Sequence, residues 1–479
     1  MPRRPQATTM SGIPKGSENP VHKDLHVNLV DTIKLLLEHL TPALCKAVFK
    51  KYRNNERERK WTLYAVATFW AAMIIRNPRG GMDAGWAQMR KGRGRDKLWP
   101  RVQASSRAFR KRLEALRPHL FQSVYEAFTT SILPKAPPAY ASWMKDLMKC
   151  FPEIHIVDGS RLDAVCRGLG ILRNVRARVL GGCMTVFYDL FRGISRQVLF
   201  FPDAAEAELP RALSALDWIA KGALIMGDRL YASVQYFHLL TGLGLWGLFR
   251  KNGRLKIKRV EVIASYRGSR TFWEDVLVEV GCGVGQLKIM LRLIRYRDRG
   301  HKLDLLTNVL DPKMLSVQQM VGLYGLRWSI ERMFLDLKET LELSDLHSAH
   351  PNLIAQQVYG AFLVHTAFRV AQVRIAQRAG VLPEQLSPAK LFPKLAQAAN
   401  DYCVAAYTGI RIRELNPGVE LKLPNFRAMP FAEVHLGAIL VRKRNSHRRR
   451  RRFCASAKRW KSIAHVTGGP TFLRHTVVG

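Results

Sequence analysis

The spacing of hydrophobic and polar positions changes several times along the chain. From Val27 to about Leu133, apolar residues recur at helical spacing. The apolar run from Trp61 to Ile75 has 15 residues, fewer than the roughly 20 that span a bilayer, so it predicts a buried helix. From residue 154 to 250 the pattern predicts strands and helices in alternation. β-like segments fill about 252–310, and helical spacing returns after about Leu346.

Between residues 154 and 250 the predicted order is three strands, helix, strand, helix, strand. The first strand ends at Asp158, and a tight turn at Arg192 and Gly193 joins the second strand to the third. A short buried strand ends just before Asp228. The segments, in order, are EIHIV, CMTVFYDLF, ISRQVLFF, LPRALSALDWIAKG, ALIM, SVQYFHLLTGL and LWGLFRK.

The segment YGLRWSIERMFLDLK, from Tyr324 to Lys338, predicts an amphipathic helix. At about 100° of rotation per residue, the apolar face contains Leu326, Ile330, Met333 and Leu337. The opposite sector, about 60° wide, contains Tyr324, Arg327, Glu331 and Lys338. Alone, this polar stripe is typical of a solvated face whose Arg and Glu form an ion pair worth about 0.3–0.5 kcal/mol.

Composition favours a polyanionic partner. The chain has 77 Lys and Arg against 37 Asp and Glu, a net charge of +40, which indicates nucleic acid first and an anionic membrane surface second. The seven cysteines form no C-x-x-C pair, which argues against a zinc site and for a reducing cytoplasm. The N-terminus has no apolar export signal.

Two predicted strands end in an aspartate, in HIVDGS at Asp158 and in LIMGDRLY at Asp228. Catalytic groups of open α/β sheets tend to lie at the carboxyl ends of strands, although a lone Asp there is more often a turn or capping residue. Glu331 on the polar stripe is a third carboxylate. Three such acids together would form an oxygen-ligand site suited to Mg²⁺. Asp163 and Asp189 are lower-ranked candidates.

The spacing Tyr324, Arg327, Glu331 and Lys338, together with VDGS, GDRLY and the strand order, resembles the DDE transposases of bacterial insertion sequences. More specifically, it is similar to the insertion-sequence-four family of cut-and-paste enzymes. The resemblance implies an α/β fold with an RNase H-like catalytic core that a β-rich insertion interrupts. A helical N-terminal domain and a helical and basic C-terminal region would flank this core.

The resemblance implies that Asp158, Asp228 and Glu331 are the catalytic metal ligands, and that Tyr324, Arg327 and Lys338 hold DNA phosphates. Two Mg²⁺ ions, for which Mn²⁺ can substitute, would serve cleavage at element ends and strand transfer. The implied partners are double-stranded DNA with terminal inverted repeats and target DNA, and a second copy of the chain in a synaptic complex. The implied location is the bacterial cytoplasm, at the nucleoid, with no membrane partner.

Four segments are predicted. A helical DNA-binding domain with a loose N-terminus covers 1–140, and the catalytic domain covers 141–345, with its insertion at about 252–310. A helical region at 346–440 and a basic tail at 441–479 follow. Eight Lys and Arg residues lie between Arg442 and Phe453, as in a tail that binds phosphates without reading sequence. Two rivals remain open. They are an RNase H-like nuclease without transfer activity and a domesticated, inactive DNA-binding protein.

Three further features carry weaker predictions. A helix capped by Ser105 or Ser106 carries Arg107, Arg110 and Lys111, and it is either a groove-reading helix or a basic solvated one. Trp273 in the insertion is a candidate stacking platform for a flipped base. GCGVG at 281–285 lacks the G-x-G-x-x-G spacing, so a hairpin turn is favoured over a phosphate loop.

Overall fold

The computed structural model describes residues 30–78, 80–91, 98–100, 102, 104–139, 144–162, 165–166, 181–203, 207–281 and 287–408. Asp163, the interior of GCGVG and the predicted basic tail lie outside the described residues. The described chain from residue 30 onward forms a mixed α/β unit with one large sheet.

Seven helices precede the sheet within the described residues, as the helical spacing predicts. They are α1 (Val30–His39), α2 (Pro42–Tyr52), α3 (Leu63–Arg76), α4 (Gly81–Lys91), α5 (Ser106–Ala115), α6 (Pro118–Ile132) and α7 (Lys145–Cys150). Side chains of Thr41, Thr62 and Ser105 cap α2, α3 and α5 by accepting backbone N–H groups of the first turn. The apolar run is the buried helix α3. None of the described helices could span a membrane.

The described strands are β1 (Ile154–Arg161), β2 (Val165–Cys166), β3 (Cys183–Asp189), β4 (Ile194–Phe201), β5 (Leu224–Gly227), β6 (Trp246–Arg250), β7 (Ile257–Arg267), β8 (Thr271–Val280), β9 (Ile289–Asp298), β10 (His301–Thr307) and β11 (Asp345–Leu346). Nine of them form one sheet in the order β4-β3-β1-β5-β6-β10-β9-β8-β7, and β2 pairs with β11. Strands β1, β5 and β6 are parallel, whereas the remaining pairs of the large sheet are antiparallel.

The later helices are α8 (Glu208–Leu213), α9 (Val234–Gly242), α10 (Val317–Leu326), α11 (Trp328–Leu335), α12 (Pro351–Ala379) and α13 (Pro388–Thr408). Helix α9 packs its buried Tyr236, Phe237 and Leu240 into the core on one face of the sheet. Helices α6 and α12 pack on β4, and α11 packs on β1. The sheet therefore has helices on both faces.

Two predicted boundaries were wrong. The helix predicted over LPRALSALDWIAKG ends at Leu213, and turns follow it. Strand β1 does not end at Asp158 but runs on to Arg161, because residues 158–161 keep pairing with β3. On its other side, β1 loses its partner where β5 ends at Gly227. Asp158 therefore lies inside a strand that is paired on one side only.

The β-like segments after residue 252 are strands, and they extend the main sheet, because β10 pairs with β6. Arg292 of β9 is fully buried, and its guanidinium binds the carboxylate of Asp275 on β8. The same guanidinium donates to the carbonyl oxygens of Val309 and Leu315, each at 3.1 Å. These bonds fix the chain that leads from β10 into α10, which begins just after the capping Ser316.

Candidate active site

Asp158 and Asp228 lie on neighbouring parallel strands. Ile156 of β1 is in register with Met226 of β5, and Met226 with Leu248 of β6. Two residues further along, this register leads to Asp158, Asp228 and Arg250 as neighbours in one row. The Asp158 carboxylate accepts the N–H of Gly159 at 2.9 Å, and the Asp228 carboxylate accepts the N–H of Leu230 at 2.6 Å. Asp228 thus follows the carboxyl end of β5, and Asp158 lies on β1 just past the residues that pair with β5, at the edge where sites of α/β sheets are found.

Glu331 comes from a helical segment that is less regular than predicted. Helix α10 ends at Leu326, Arg327 forms the junction, and α11 begins at Trp328. A π-helical turn covers Asp336–Thr340, so the rotation of about 100° per residue does not apply to Lys338. The predicted apolar face is confirmed, because Leu326, Ile330, Met333 and Leu337 are all buried.

The predicted exposed stripe was wrong in one respect, because Tyr324 is buried. Burial raises the pKa of its hydroxyl. The Arg327 guanidinium lies 5.8 Å from the centroid of the Tyr324 ring and 5.2 Å from that of Trp328. Both distances are within cation–π range. The rings of Tyr324 and Trp328 therefore hold the Arg327 guanidinium in place.

Arg327 links two of the three predicted acids. Its Nη2 donates to Glu331 Oε1 at 2.7 Å, and its Nη1 lies 3.8 Å from Asp158 Oδ2. Only 12% of the Arg327 side chain is exposed, so the pair with Glu331 is not the solvated ion pair that the stripe alone would suggest. The guanidinium supplies positive charge between two carboxylates.

The pKa of Asp158 is raised to about 7. Burial is the main cause, and the negative charges of Glu208, Glu331 and Asp228 add to it, while Arg327 opposes it. Glu208, Glu331 and Asp228 are therefore close enough to influence the ionisation of Asp158.

Glu208 was not predicted from the sequence. It lies in the first turn of α8 and accepts a hydrogen bond from the buried hydroxyl of Tyr231. A methyl group on Gly159 would overlap its carboxylate, so the glycine next to Asp158 leaves the space that Glu208 fills. No motif or strand end marks Glu208, and only the packing of α8 on β3, from which the Glu208 side chain reaches Gly159 of β1, brings it here.

The carboxylates provide the right donors for a hard divalent ion, although they do not form a finished cage. No group of three or more His, Cys, Asp or Glu residues in the described ranges is placed to hold a metal ion. The donors at this site are all carboxylate oxygens, which Mg²⁺ and Mn²⁺ prefer. Burial and, to a lesser extent, the neighbouring carboxylates disfavour a charged Asp158, and a bound cation would offset that cost. The residues therefore fit such an ion in donor type and charge.

The other predicted residues lie at several places. Lys338 donates from Nζ to the carbonyl oxygen of Arg161 at 2.6 Å, which brings it to the end of β1. Arg107 and Lys111 are exposed on α5, and Arg110 pairs there with Asp83. Trp273 lies on β8, several strands from β1, and stacks on Tyr266 with ring centroids 6.1 Å apart.

Asp189 has a structural role that accounts for its burial. Its carboxylate accepts the backbone N–H of Arg192 at 3.0 Å and pairs with the Arg192 side chain at 3.2 Å. These bonds stabilise the predicted turn between β3 and β4. Asp189 also lies away from Asp158 along the strand pair, because Asp189 pairs with His155 whereas Asp158 pairs with Val186.

Residues 179–367 match the family model of the transposase DDE domain. This range includes Asp228, Glu331 and the residues from Tyr324 to Lys338, whereas Asp158 precedes it. The match confirms the predicted resemblance to DDE transposases for this part of the chain.

A curated relative specifies the type. Over 108 residues, 22% of this chain, the sequence is 31% identical to the transposase InsG for insertion sequence element IS4 of Escherichia coli (strain K12). The alignment spans 24% of that protein's length, about a quarter. The similarity is therefore to a transposase of the insertion-sequence-four type.

Proposed function

We propose that this protein is a transposase that cleaves DNA at the ends of a mobile element and joins those ends to target DNA. The observation that supports the proposal is the position of Arg327 between Glu331 and Asp158, with Asp228 close enough to raise the pKa of Asp158, on a chain whose residues 179–367 match the transposase DDE domain. The order β4-β3-β1-β5-β6, with its three parallel strands, supports an RNase H-like core.

In this proposal Asp158, Asp228 and Glu331 hold two divalent ions, Mg²⁺ or Mn²⁺. When bound, such ions activate water or a 3′ hydroxyl and stabilise the leaving oxygen of an in-line displacement at phosphorus. The chain needs no side-chain nucleophile of its own. Its residues fix the carboxylates, and the strand pairing of β1 with β3 holds Asp158 rigidly.

Arg327 has two tasks in the proposed reaction. Without DNA, its guanidinium pairs with Glu331, lies near Asp158, and offsets part of their negative charge. With DNA bound, the same planar group can donate two hydrogen bonds to a phosphate, which is the geometry that arginine favours. The neighbouring rings of Tyr324 and Trp328 keep the group at the site during that exchange.

The proposed function is tested by incubating the full chain with DNA that carries the inverted repeats flanking its gene. Mg²⁺ or Mn²⁺ should produce nicks at the repeat ends, and EDTA should prevent them. Joining of the nicked ends to a plasmid distinguishes a transposase from a nuclease that only cleaves. If the folded protein cuts no repeat DNA with either ion, the proposed activity is wrong.

Lys338→Ala is expected to slow the later steps more than the first nick. The substitution removes a phosphate contact and the bond to the Arg161 carbonyl, but it removes no carboxylate. We expect the first nick to slow by less than about threefold and strand joining by about tenfold, the size of one lost charged hydrogen bond. Single-turnover assays on uncut and pre-nicked repeat DNA measure the two steps.

Lys313→Ala is the matched control for Lys338→Ala, because Lys313 is exposed before α10 and its loss changes net charge equally. Strand joining should be normal in this variant. If Lys338→Ala lost nicking as completely as it lost joining, with unchanged DNA binding, Lys338 would belong to the chemical step.

Deleting residues 442–479 is expected to weaken the salt dependence of DNA binding. This segment contains the eight Lys and Arg residues between Arg442 and Phe453. Each lost phosphate contact reduces the slope of log affinity against log salt by about 0.9. Fluorescence anisotropy at several NaCl concentrations measures the slope. Replacing the eight residues with Gln in the full chain separates charge from length, and an unchanged slope in both variants would mean that the tail does not contact DNA.

A further inference from the structure

We propose that Glu208 is a fourth carboxylate of the metal site and that Tyr231 positions it. This inference rests on the proposed function, because the ion it concerns is the one that Asp158, Asp228 and Glu331 would hold. It adds a residue outside the three acids that the sequence indicates.

The position of Glu208 is fixed by two rigid groups. The Tyr231 hydroxyl donates to its carboxylate, and the Tyr231 ring is fully buried beside Tyr236 and Phe249, with ring centroids 5.8 Å and 6.2 Å away. On the other side, the Gly159 backbone leaves no room for a side chain between β1 and the carboxylate. Glu208 is thus held against the residue that follows Asp158.

The geometry defines how Glu208 could reach an ion. Successive side-chain positions in a strand point to opposite faces, so Glu208 approaches β1 from the face opposite Asp158. This happens where β5 has already ended, so no strand continues beside β1 on that side. A hydrated divalent ion keeps several of its waters. The carboxylate of Glu208 can therefore accept hydrogen bonds from these waters around the strand edge.

The charge balance favours this role over a purely structural one. Among the described residues, Glu208 forms no ion pair, and Arg327 pairs with Asp158 and Glu331 rather than with Glu208. A Gln at position 208 could also accept the Tyr231 hydrogen bond, although more weakly than a carboxylate. A carboxylate here adds negative charge that the fold does not need but that a divalent ion would use.

The test measures metal binding directly, without DNA, by the electron paramagnetic resonance signal of free Mn²⁺. Glu208→Gln should weaken Mn²⁺ binding about tenfold, as is typical when an outer partner of a metal site is lost. Tyr231→Phe should weaken it less, by about threefold, because the carboxylate remains but is no longer held. Glu114→Gln, an exposed acid on α5, is the matched control and should bind normally.

Cleavage of repeat DNA provides the second readout. Glu208→Gln should need about ten times more Mg²⁺ for half-maximal nicking and should recover at high Mg²⁺, whereas Glu331→Gln should not recover. Thermal unfolding in EDTA checks folding, and Glu208→Asp replaces the Gln variant if that variant does not fold.

The outcomes separate the two proposals. Wild-type protein that binds Mn²⁺ and nicks DNA, together with a Glu208 variant of unchanged Mn²⁺ affinity, would overturn the role of Glu208 alone. Wild-type protein that neither binds Mn²⁺ nor nicks DNA would overturn the proposed function, and the inference about Glu208 with it. Weaker binding in the Glu208 variants, with normal binding in Glu114→Gln, would support the inference.

Discussion

Replacing Glu331 with Gln should reduce nicking of repeat DNA by roughly 10³-fold or more while leaving DNA binding within about twofold. A neutral amide is a poor ligand for Mg²⁺, but its oxygen can still accept the 2.7 Å hydrogen bond from Arg327. The junction between α10 and α11 should therefore keep its structure. Single-turnover nicking and anisotropy with the same DNA measure the two effects.

Glu339→Gln is the control for this prediction, because Glu339 is an exposed acid on the π-helical turn just beyond α11. It should nick DNA at the normal rate. Near-normal nicking by Glu331→Gln would remove Glu331 from the metal site. Loss of DNA binding in parallel with nicking would instead mean that the variant disturbs Arg327.

Replacing Asp158 with Asn should abolish nicking and also make the metal-free protein more stable near neutral pH. In the folded chain, burial and the charges of Glu208, Glu331 and Asp228, opposed by Arg327, raise the pKa of Asp158 to about 7 from an ordinary 3.8. Ionisation is therefore easier in the unfolded chain, so the penalty to folding grows as pH rises from about 4 to 7 and is complete above 7. Asn carries no such penalty.

The expected gain at pH 8 is about 1–3 kcal/mol in the free energy of unfolding, and it should shrink towards zero near pH 4. Urea unfolding in EDTA at several pH values measures it. Asp217→Asn, an exposed aspartate after α8, should produce no such trend. Added Mg²⁺ should stabilise the wild-type protein more than Asp158→Asn. Equal stability of the two proteins from pH 5 to 8 would mean that the carboxylates do not strain the fold.

The sequence predicts the helices and strands of this fold correctly in the segments where hydrophobic spacing determines them. The strands around Asp158 and Asp228 and the buried run from Trp61 to Ile75 are found as predicted, because burial of these apolar residues leaves few other solutions. The carboxyl ends of neighbouring parallel strands then bring Asp158 and Asp228 together. Extension of β1 past Asp158 was missed, because pairing with β3 continues through polar residues that carry no hydrophobic signal.

Other features depend on contacts between distant residues, which one sequence does not reveal. The backbone of Arg327 keeps helical angles, but its N–H bonds to the carbonyl of Tyr324, three residues before it, and this interrupts the regular helix. Glu208 reaches the site only because α8 packs on β3, and the space it occupies depends on Gly159. The continuity of the β-rich segment with the main sheet depends on the pairing of β10 with β6, which the local alternation does not specify.

Because the β-rich segment continues the main sheet, the number of strands sets the distance between residues on β1 and β8. Trp273 is in register with Tyr296, which is in register with Leu303. Leu303 lies beyond the carboxyl end of β6, so Trp273 is at the same edge of the sheet as Asp158. Five strand spacings of about 4.8 Å separate β1 from β8. The distance is therefore roughly 24 Å, which equals the rise of about seven base pairs of DNA. Trp273 and Asp158 therefore lie at one edge of a single continuous sheet but far apart along it, and contact of Trp273 with DNA stays a prediction.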